Sequence, residues 1–198
     1  VLWGDDGLPL AVVEAKKTLV DAKVGKHQAT LYADCLEKKF GQRPVIFYTN
    51  GFESWIWDDV NYPERSVQGF YTQQELQLLV NRRTERKKLS FENLNRNIAD
   101  RYYQAEAIKR VAETFENKSR KALLVMATGS GKTRTAAALV DLLTNANWVK
   151  RILFLADRRA LVRQAKNAFT NYLSNLTAIN LLEEKEDEES RLVFSTYP

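Results

Sequence analysis

Leu123-Leu124-Val125-Met126-Ala127-Thr128-Gly129-Ser130-Gly131-Lys132-Thr133 is the stretch that decides how this chain is read. An apolar run, predicted to be a strand, ends in a small polar turn, and a helix-compatible segment from Arg134 to Leu143 follows. Strand, Gly-x-Gly-Lys-Thr and helix in that order make a phosphate-binding loop. Glycine lets the backbone wrap close to an oxyanion, so successive N–H groups and the helix N-terminus can point at phosphate. Thr128, Gly129, Ser130 and Gly131 form the predicted cradle. Lys132 is expected to reach the β- and γ-phosphates and the Thr133 hydroxyl to sit on Mg²⁺. The general pattern carries another glycine five residues before Gly131, and here that position is Met126.

Working outward, 198 residues suffice for one large or two modest domains with a buried core. Apolar residues make up 44% and charged residues 28%, the balance of a soluble globular protein. No apolar run approaches the ~20 residues of a membrane-spanning helix, so no membrane partner is expected. The single Cys35 excludes an internal disulfide framework and fits a reducing, cytoplasmic setting. With one His27 beside it, a zinc site is not expected. The chain starts in a strand-like pattern without initiator Met, and its last residues read as a strand cut at its exit. Both ends suggest a piece of a longer protein. Net charge is +5, with a basic block from Asn81 to Lys88 and an acidic one from Glu183 to Glu189. Such a balance permits a polyanionic partner without demanding one, and each block alone reads as a solvated face.

Near the start, Val1-Leu2-Trp3 is a strand tail and Gly4-Asp5-Asp6-Gly7 a tight turn. Leu10-Ala11-Val12-Val13-Glu14-Ala15-Lys16-Lys17 follows, an apolar strand that ends in an acid and a base two residues apart. Period two puts Glu14 and Lys16 on one face and Ala15 on the other. That pair suits a divalent metal and a developing phosphate charge, and equally a simple ion pair. A helix is predicted from His27 to Phe40, with Gln28 and Tyr32 on one face at i and i+4. A strand and turn (Arg43 to Gly51) and a short strand (Ser54 to Trp57) come next.

This order, with Glu-x-Lys and a later Gln-x-x-x-Tyr, resembles the nuclease core of the restriction-endonuclease-like superfamily, in its RecB-type branch. The resemblance implies that Glu14 ligates Mg²⁺ with help from the Ala15 carbonyl. Lys16 would orient the attacking water or stabilise the phosphorane, and Gln28 and Tyr32 would position DNA or the lysine. The family's further metal-binding Asp is expected upstream of Val1.

From Asn61 the sequence reads as a connector, with a break at Asn61-Tyr62-Pro63-Glu64-Arg65 and a helix from Phe70 to Arg83 capped by Thr72. An amphipathic helix opens at Arg101 and runs to Asn117. Placed some two dozen residues before the phosphate loop, its Tyr103-Gln104 resembles the adenine-reading element of superfamily-two helicases. An amide both donates to and accepts from the adenine edge, and an aromatic neighbour can stack on the ring. Beyond the loop, Arg151 to Asp157 is a second buried-type strand, followed by a helix opening at Arg158-Arg159. Strands alternating with helices argue for a parallel, doubly wound sheet with ligands at the strand C-termini. Phe154 to Ala165 resembles helicase motif Ia, which implies that Arg158 and Arg159 contact the nucleic-acid backbone; the equal alternative is that they answer Asp157 or the acidic block. Val193 to Tyr197 resembles the start of motif Ib, with Thr196 touching the strand.

The whole order resembles the restriction (motor) subunit of type I restriction–modification enzymes. It implies an α/β chain with part of a nuclease core (1–60), a partly helical connector (61–90) and the first half of a RecA-like lobe (91–198). The implied activity is ATP-driven translocation on double-stranded DNA coupled to Mg²⁺-dependent cleavage of unmethylated foreign DNA, beside methylation and specificity subunits. The acidic motif that activates the hydrolytic water is expected beyond Pro198, so the segment alone is expected to turn over neither ATP nor DNA. The competing expectations are a nucleic-acid helicase with a non-catalytic N-terminal module and a small-molecule kinase.

Overall fold

The computed structural model describes residues 1–89, 94–187 and 189–197. Two compact units divide the chain, Val1–Glu85 and Arg86–Pro198.

The first unit is built on a five-stranded sheet in the order β1-β2-β3-β4-β5, comprising Leu2–Trp3, Pro9–Ala15, Val45–Thr49, Ser54–Trp57 and Arg65–Val67. β1 returns antiparallel on β2 through the predicted turn, where Gly7 adopts φ 75°. β2 and β3 run parallel, which requires a crossover, and helix α1 (Lys26–Phe40) supplies it. Gly41 ends α1 at φ 74°, its N–H closing on the Glu37 carbonyl, a left-handed cap that glycine adopts without strain. All five residues of β3 (Val-Ile-Phe-Tyr-Thr) are buried, as β-branched and aromatic residues between two covered faces should be. Val12, Ile46 and Tyr48 face α1 with Ala29 and Ala33. Leu10, Val45, Phe47 and Ile56 lie on the other face under Leu76 and Val80 of helix α2 (Gln73–Glu85).

The segment 61–85, expected as a connector, is instead part of this unit. The Asn61 and Tyr62 amides both close on the Asp58 carbonyl, and the chain turns back to pair β5 antiparallel with β4. α2 starts at the predicted cap, where Thr72 Oγ1 accepts from the Glu75 N–H (3.3 Å) and the Glu75 carboxylate accepts from the Thr72 N–H (2.8 Å). Leu76 and Val80 then need an apolar face, and the sheet has one uncovered by α1. The basic block is not purely a solvated face. Arg83 pairs with Asp58 at 2.7 Å, both side chains at most a tenth exposed, and Arg86 lies over the Trp148 ring within the second unit.

The second unit holds α3 (Tyr102–Glu116), α4 (Lys132–Asn145), β6 (Ile152–Ala156), α5 (Arg159–Tyr172), β7 (Ala178–Asn180) and β8 (Leu192–Thr196). Among the described residues, its strands form a parallel sheet in the order β6-β8-β7. α5 closes on the sheet through Val162, Ala165 and Phe169, and Phe169, Phe154 and Phe194 meet at 5.5–5.6 Å between ring centroids. α4 contributes Ala137, Ala138, Leu142 and Leu143 to the same core. One expectation fails here: the apolar run Leu123 to Val125 joins neither sheet, and Leu123 and Val125 are 87% and 88% exposed. A strand is stable only when its N–H and C=O groups meet a neighbour, and among the described residues β6, β7 and β8 pair only with one another. No helix among the described residues is long and apolar enough to cross a membrane.

Candidate functional site

In the second unit the loop is formed as its glycines require. Gly129 and Gly131 take φ 77° and 86°, the left-handed region that only glycine enters freely. Gly131 is doubly constrained, because a Cβ there would lie 2.5 Å from Gln104 Nε2. Ser130 folds back on the Ala127 carbonyl through its N–H (3.3 Å) and hydroxyl (2.7 Å). α4 opens at Lys132, and its first internal bond runs from the Thr135 N–H to the Gly131 carbonyl (2.9 Å), so the N–H groups of its first turn stay open to an anion. Lys132 Nζ is held within the loop by the carbonyls of Ala127 (3.1 Å) and Met126 (3.4 Å). An ammonium has three donors, so one remains. Thr128 is exposed, and Thr133, half-buried, is the second residue of α4. Arg134 ties the helix start to Asp100 (3.0 Å) and to the Asn97 carbonyl (3.0 Å), a brace that no local pattern announces.

Tyr103 and Gln104 meet this loop through their polar atoms. The Tyr103 hydroxyl donates to the Ser130 carbonyl at 3.0 Å, and Gln104 Nε2 donates to the same oxygen at 3.3 Å. Gln104 is 1% exposed, and its Oε1 accepts from the Arg101 N–H at 3.3 Å. The amide expected to read adenine is therefore engaged at both ends, and the exposed aromatic beside it is Tyr102.

At the C-terminal edge of the small sheet, Ala156 of β6 stands in register with Thr196 of β8. The chain leaves β6 through Asp157 into Arg158 and Arg159 at the N-terminus of α5, which brings the three predicted DNA-contact residues to one edge. Arg158 is exposed and only loosely paired with Asp157 (3.5 Å). The acidic block answers other cations: Glu183 pairs with Arg163 (2.5 Å), Glu186 with Arg151 (3.1 Å), and Glu184 with Lys166. The arginine at its side holds the Glu183 carboxyl below the ordinary carboxylate range. Among the described residues of the block, none is paired with Arg158 or Arg159.

In the first unit, Glu14, Lys16, Gln28 and Tyr32 form one continuous chain. Lys16 Nζ lies 2.7 Å from Glu14 Oε1 and donates to Gln28 Oε1 at 2.7 Å, and Gln28 Nε2 donates to the Tyr32 oxygen at 2.6 Å. β2 and the residue just after it deliver the first pair and α1 the second. Gly25, at the turn leading into α1, allows this approach, since a Cβ there would fall 3.0 Å from Glu14 Cγ. Glu14 is the only carboxylate in the chain of bonds, and no group of three His, Cys, Asp or Glu side chains suited to a metal occurs among the described residues. Asp5 and Asp6 lie in the hairpin turn, bonded to Gln73 Nε2 and to the Leu8 N–H.

Sequence reasoning missed the neighbouring support. Glu64 accepts from the Tyr48 hydroxyl (2.5 Å) and pairs with Lys26 (2.7 Å), while Lys26 and Lys23 lie over the Trp57 and Trp55 rings at 4.2 and 4.4 Å. Burial and the Glu64 carboxylate push the Tyr48 phenol well above its usual range. The signal was the alternation of Trp55 and Trp57 on a strand whose partner Tyr48 stands opposite Glu14.

Residues 97–198, just over half of the chain, match the family described as "Type III restriction enzyme, res subunit" (ResIII). The chain belongs to the ResIII family. The matched span takes in Tyr103, Gln104, the loop, Arg158, Arg159 and Thr196. The relatives of this ResIII chain are endonuclease subunits of type I restriction enzymes. It is 34% identical over 189 residues to the type I restriction enzyme EcoAI endonuclease subunit of Escherichia coli, covering 84% of this chain and 22% of that protein. It is 28% identical over 220 residues to the EcoKI endonuclease subunit of Escherichia coli strain K12, covering 87% and 19%. The chain thus spans about a fifth of the length of these relatives. A solved fragment described as an HsdR subunit of a type I restriction enzyme from Vibrio vulnificus YJ016 aligns at 27% identity and a TM-score of 0.39, covering 94% of this chain and 34% of that one.

Proposed function

We propose that this chain is the part of a type I restriction subunit in which DNA cleavage and the ATP site of a DNA translocase adjoin in sequence. On this reading residues 1–85 are the catalytic part of a RecB-type nuclease core, and the second unit is the beginning of a RecA-like lobe. The observation that carries the reading is the unbroken chain Glu14–Lys16–Gln28–Tyr32, in the same polypeptide as a loop that belongs to ResIII. A structural ion pair at a strand end would not need the second pair of residues, supplied from a helix.

The chemistry follows from donors and acceptors. Lys16 spends two of its three N–H donors on Glu14 and Gln28, leaving one for a water or a phosphate oxygen. Gln28 fixes the ammonium with its oxygen and the Tyr32 oxygen with its nitrogen. The Tyr32 O–H is thereby kept for donation to a DNA phosphate. Glu14 offers a divalent ion one carboxylate, so it would be one ligand among several. A bound Mg²⁺ would supply Lewis-acid stabilisation of the phosphate charge. In the second unit, the first-turn N–H groups of α4 and Lys132 would hold the ATP phosphates, and the hydroxyl of Thr133, the second residue of α4, would bind the metal. Arg158, Arg159 and Thr196 would carry the DNA backbone. Methylation and specificity subunits are the proposed partners and the cytoplasm the proposed compartment.

The test is a separation of function in the full-length protein. Lys16→Ala is expected to abolish cleavage and keep DNA-stimulated ATP hydrolysis, and Lys132→Ala to abolish both. Intact cleavage in the Lys16 and Glu14 variants would leave a helicase with a non-catalytic N-terminal module.

A further inference from the structure

The Ser130 carbonyl is held by two side-chain donors from α3, the Tyr103 hydroxyl and Gln104 Nε2. The tyrosine is itself oriented. Arg101 Nη1 donates to the phenol oxygen at 2.7 Å, which leaves the phenol proton for Ser130. A trans peptide is planar, with its C=O and N–H on opposite sides. Holding the Ser130 oxygen toward α3 therefore turns the Gly131 N–H away from α3. Left-handed Gly131 lets the chain enter α4 from that orientation, next to the open N–H groups of the first turn.

We propose that Tyr103 is a positioning residue that works through its hydroxyl: it clamps the Ser130–Gly131 peptide so that the Gly131 N–H faces a bound phosphate. This rests on the loop being the ATP site, and it replaces base stacking as the purpose of Tyr103. A hydroxyl clamp acts on phosphate whatever base is attached, whereas a stacking ring acts on the base alone.

The two are separated by measuring binding of ATP, GTP and inorganic tripolyphosphate to the full-length protein. Tyr103→Phe keeps the ring and removes the donor. It is expected to weaken all three probes alike by about fivefold, the worth of one ordinary hydrogen bond. Arg101→Gln, at a more exposed site, is expected to weaken them in the same proportion to one another by a smaller factor, and serves should the first variant fold poorly. Wild-type tripolyphosphate affinity in both variants overturns the clamp, as does a loss confined to ATP. The Lys132→Ala variant reads the underlying assumption separately. If it binds ATP and tripolyphosphate as the wild type does, the loop is not the phosphate site and the clamp falls with it.

Discussion

Gly131→Ala is the sharpest perturbation of the nucleotide loop. Two penalties combine at that position. An L-residue at φ 86° costs about 1–2 kcal/mol relative to glycine. The new Cβ also meets Gln104 Nε2 at 2.5 Å. That amide is the end of a flexible side chain, yet it is buried and bonded at both ends, so it cannot swing clear without giving up the Ser130 and Arg101 contacts. A buried amide left unsatisfied costs about 1–3 kcal/mol, which brings the total to roughly 2–5 kcal/mol. Gly129→Ala is the internal control, because φ is 77° but nothing lies within 4 Å of its Cβ. Only the backbone term of about 1–2 kcal/mol applies there. The assay is urea unfolding read by hydrogen exchange at α4 amides, which reports on the second unit alone. Removing the obstacle should relieve the clash, so Gly131→Ala with Gln104→Ala is expected to fall short of additivity by about 1–2 kcal/mol. Equal losses at Gly129 and Gly131, or strict additivity with Gln104→Ala, would refute the packing argument.

Three further outcomes follow from other parts of the chain. Gln28→Ala should reduce cleavage by about tenfold to a hundredfold, consistent with loss of a positioned charge-assisted bond, with DNA-stimulated ATP hydrolysis unchanged; equal loss of both activities would argue against a nuclease role. Arg158→Ala and Arg159→Ala should weaken DNA binding uniformly across sequences and lower the salt slope by about one each, whereas sequence-selective loss would contradict backbone contact. Glu64 is held below its ordinary value of 4.5: burial opposes its charge, and Lys26 and Tyr48 outweigh burial. A depressed carboxylate stabilises the fold above its unfolded pKa and loses that contribution as pH falls through the folded one. Stability of the first unit should therefore drop below about pH 4.5, and Glu64→Gln should flatten the drop, as followed by acid titration of tryptophan fluorescence.

Local periodicity carried much of this structure. The Gln28–Tyr32 spacing and the Glu14–Lys16 alternation each placed two side chains on one face; α1 carries the first pair, and the second meets at the end of β2, with Lys16 one residue past it. The left-handed glycines of the loop and the Thr72 cap are likewise local, since each depends on φ or on a bond spanning three residues. What no local pattern contains is the identity of a distant partner. The segment 61–85 is a strand and a helix of the first unit because β4 had an open edge and the sheet an open face. Leu123 to Val125 has strand chemistry and no strand, because pairing needs a neighbour. Glu183, Glu184 and Glu186 of the acidic block meet Arg163, Lys166 and Arg151 by proximity in space. Tyr103 was read by its ring, and only the tertiary fold, setting α3 beside the loop, shows that its hydroxyl makes the contact. Hydrogen bonds are decided within about 3 Å, and separations of two dozen residues along the chain say nothing about them.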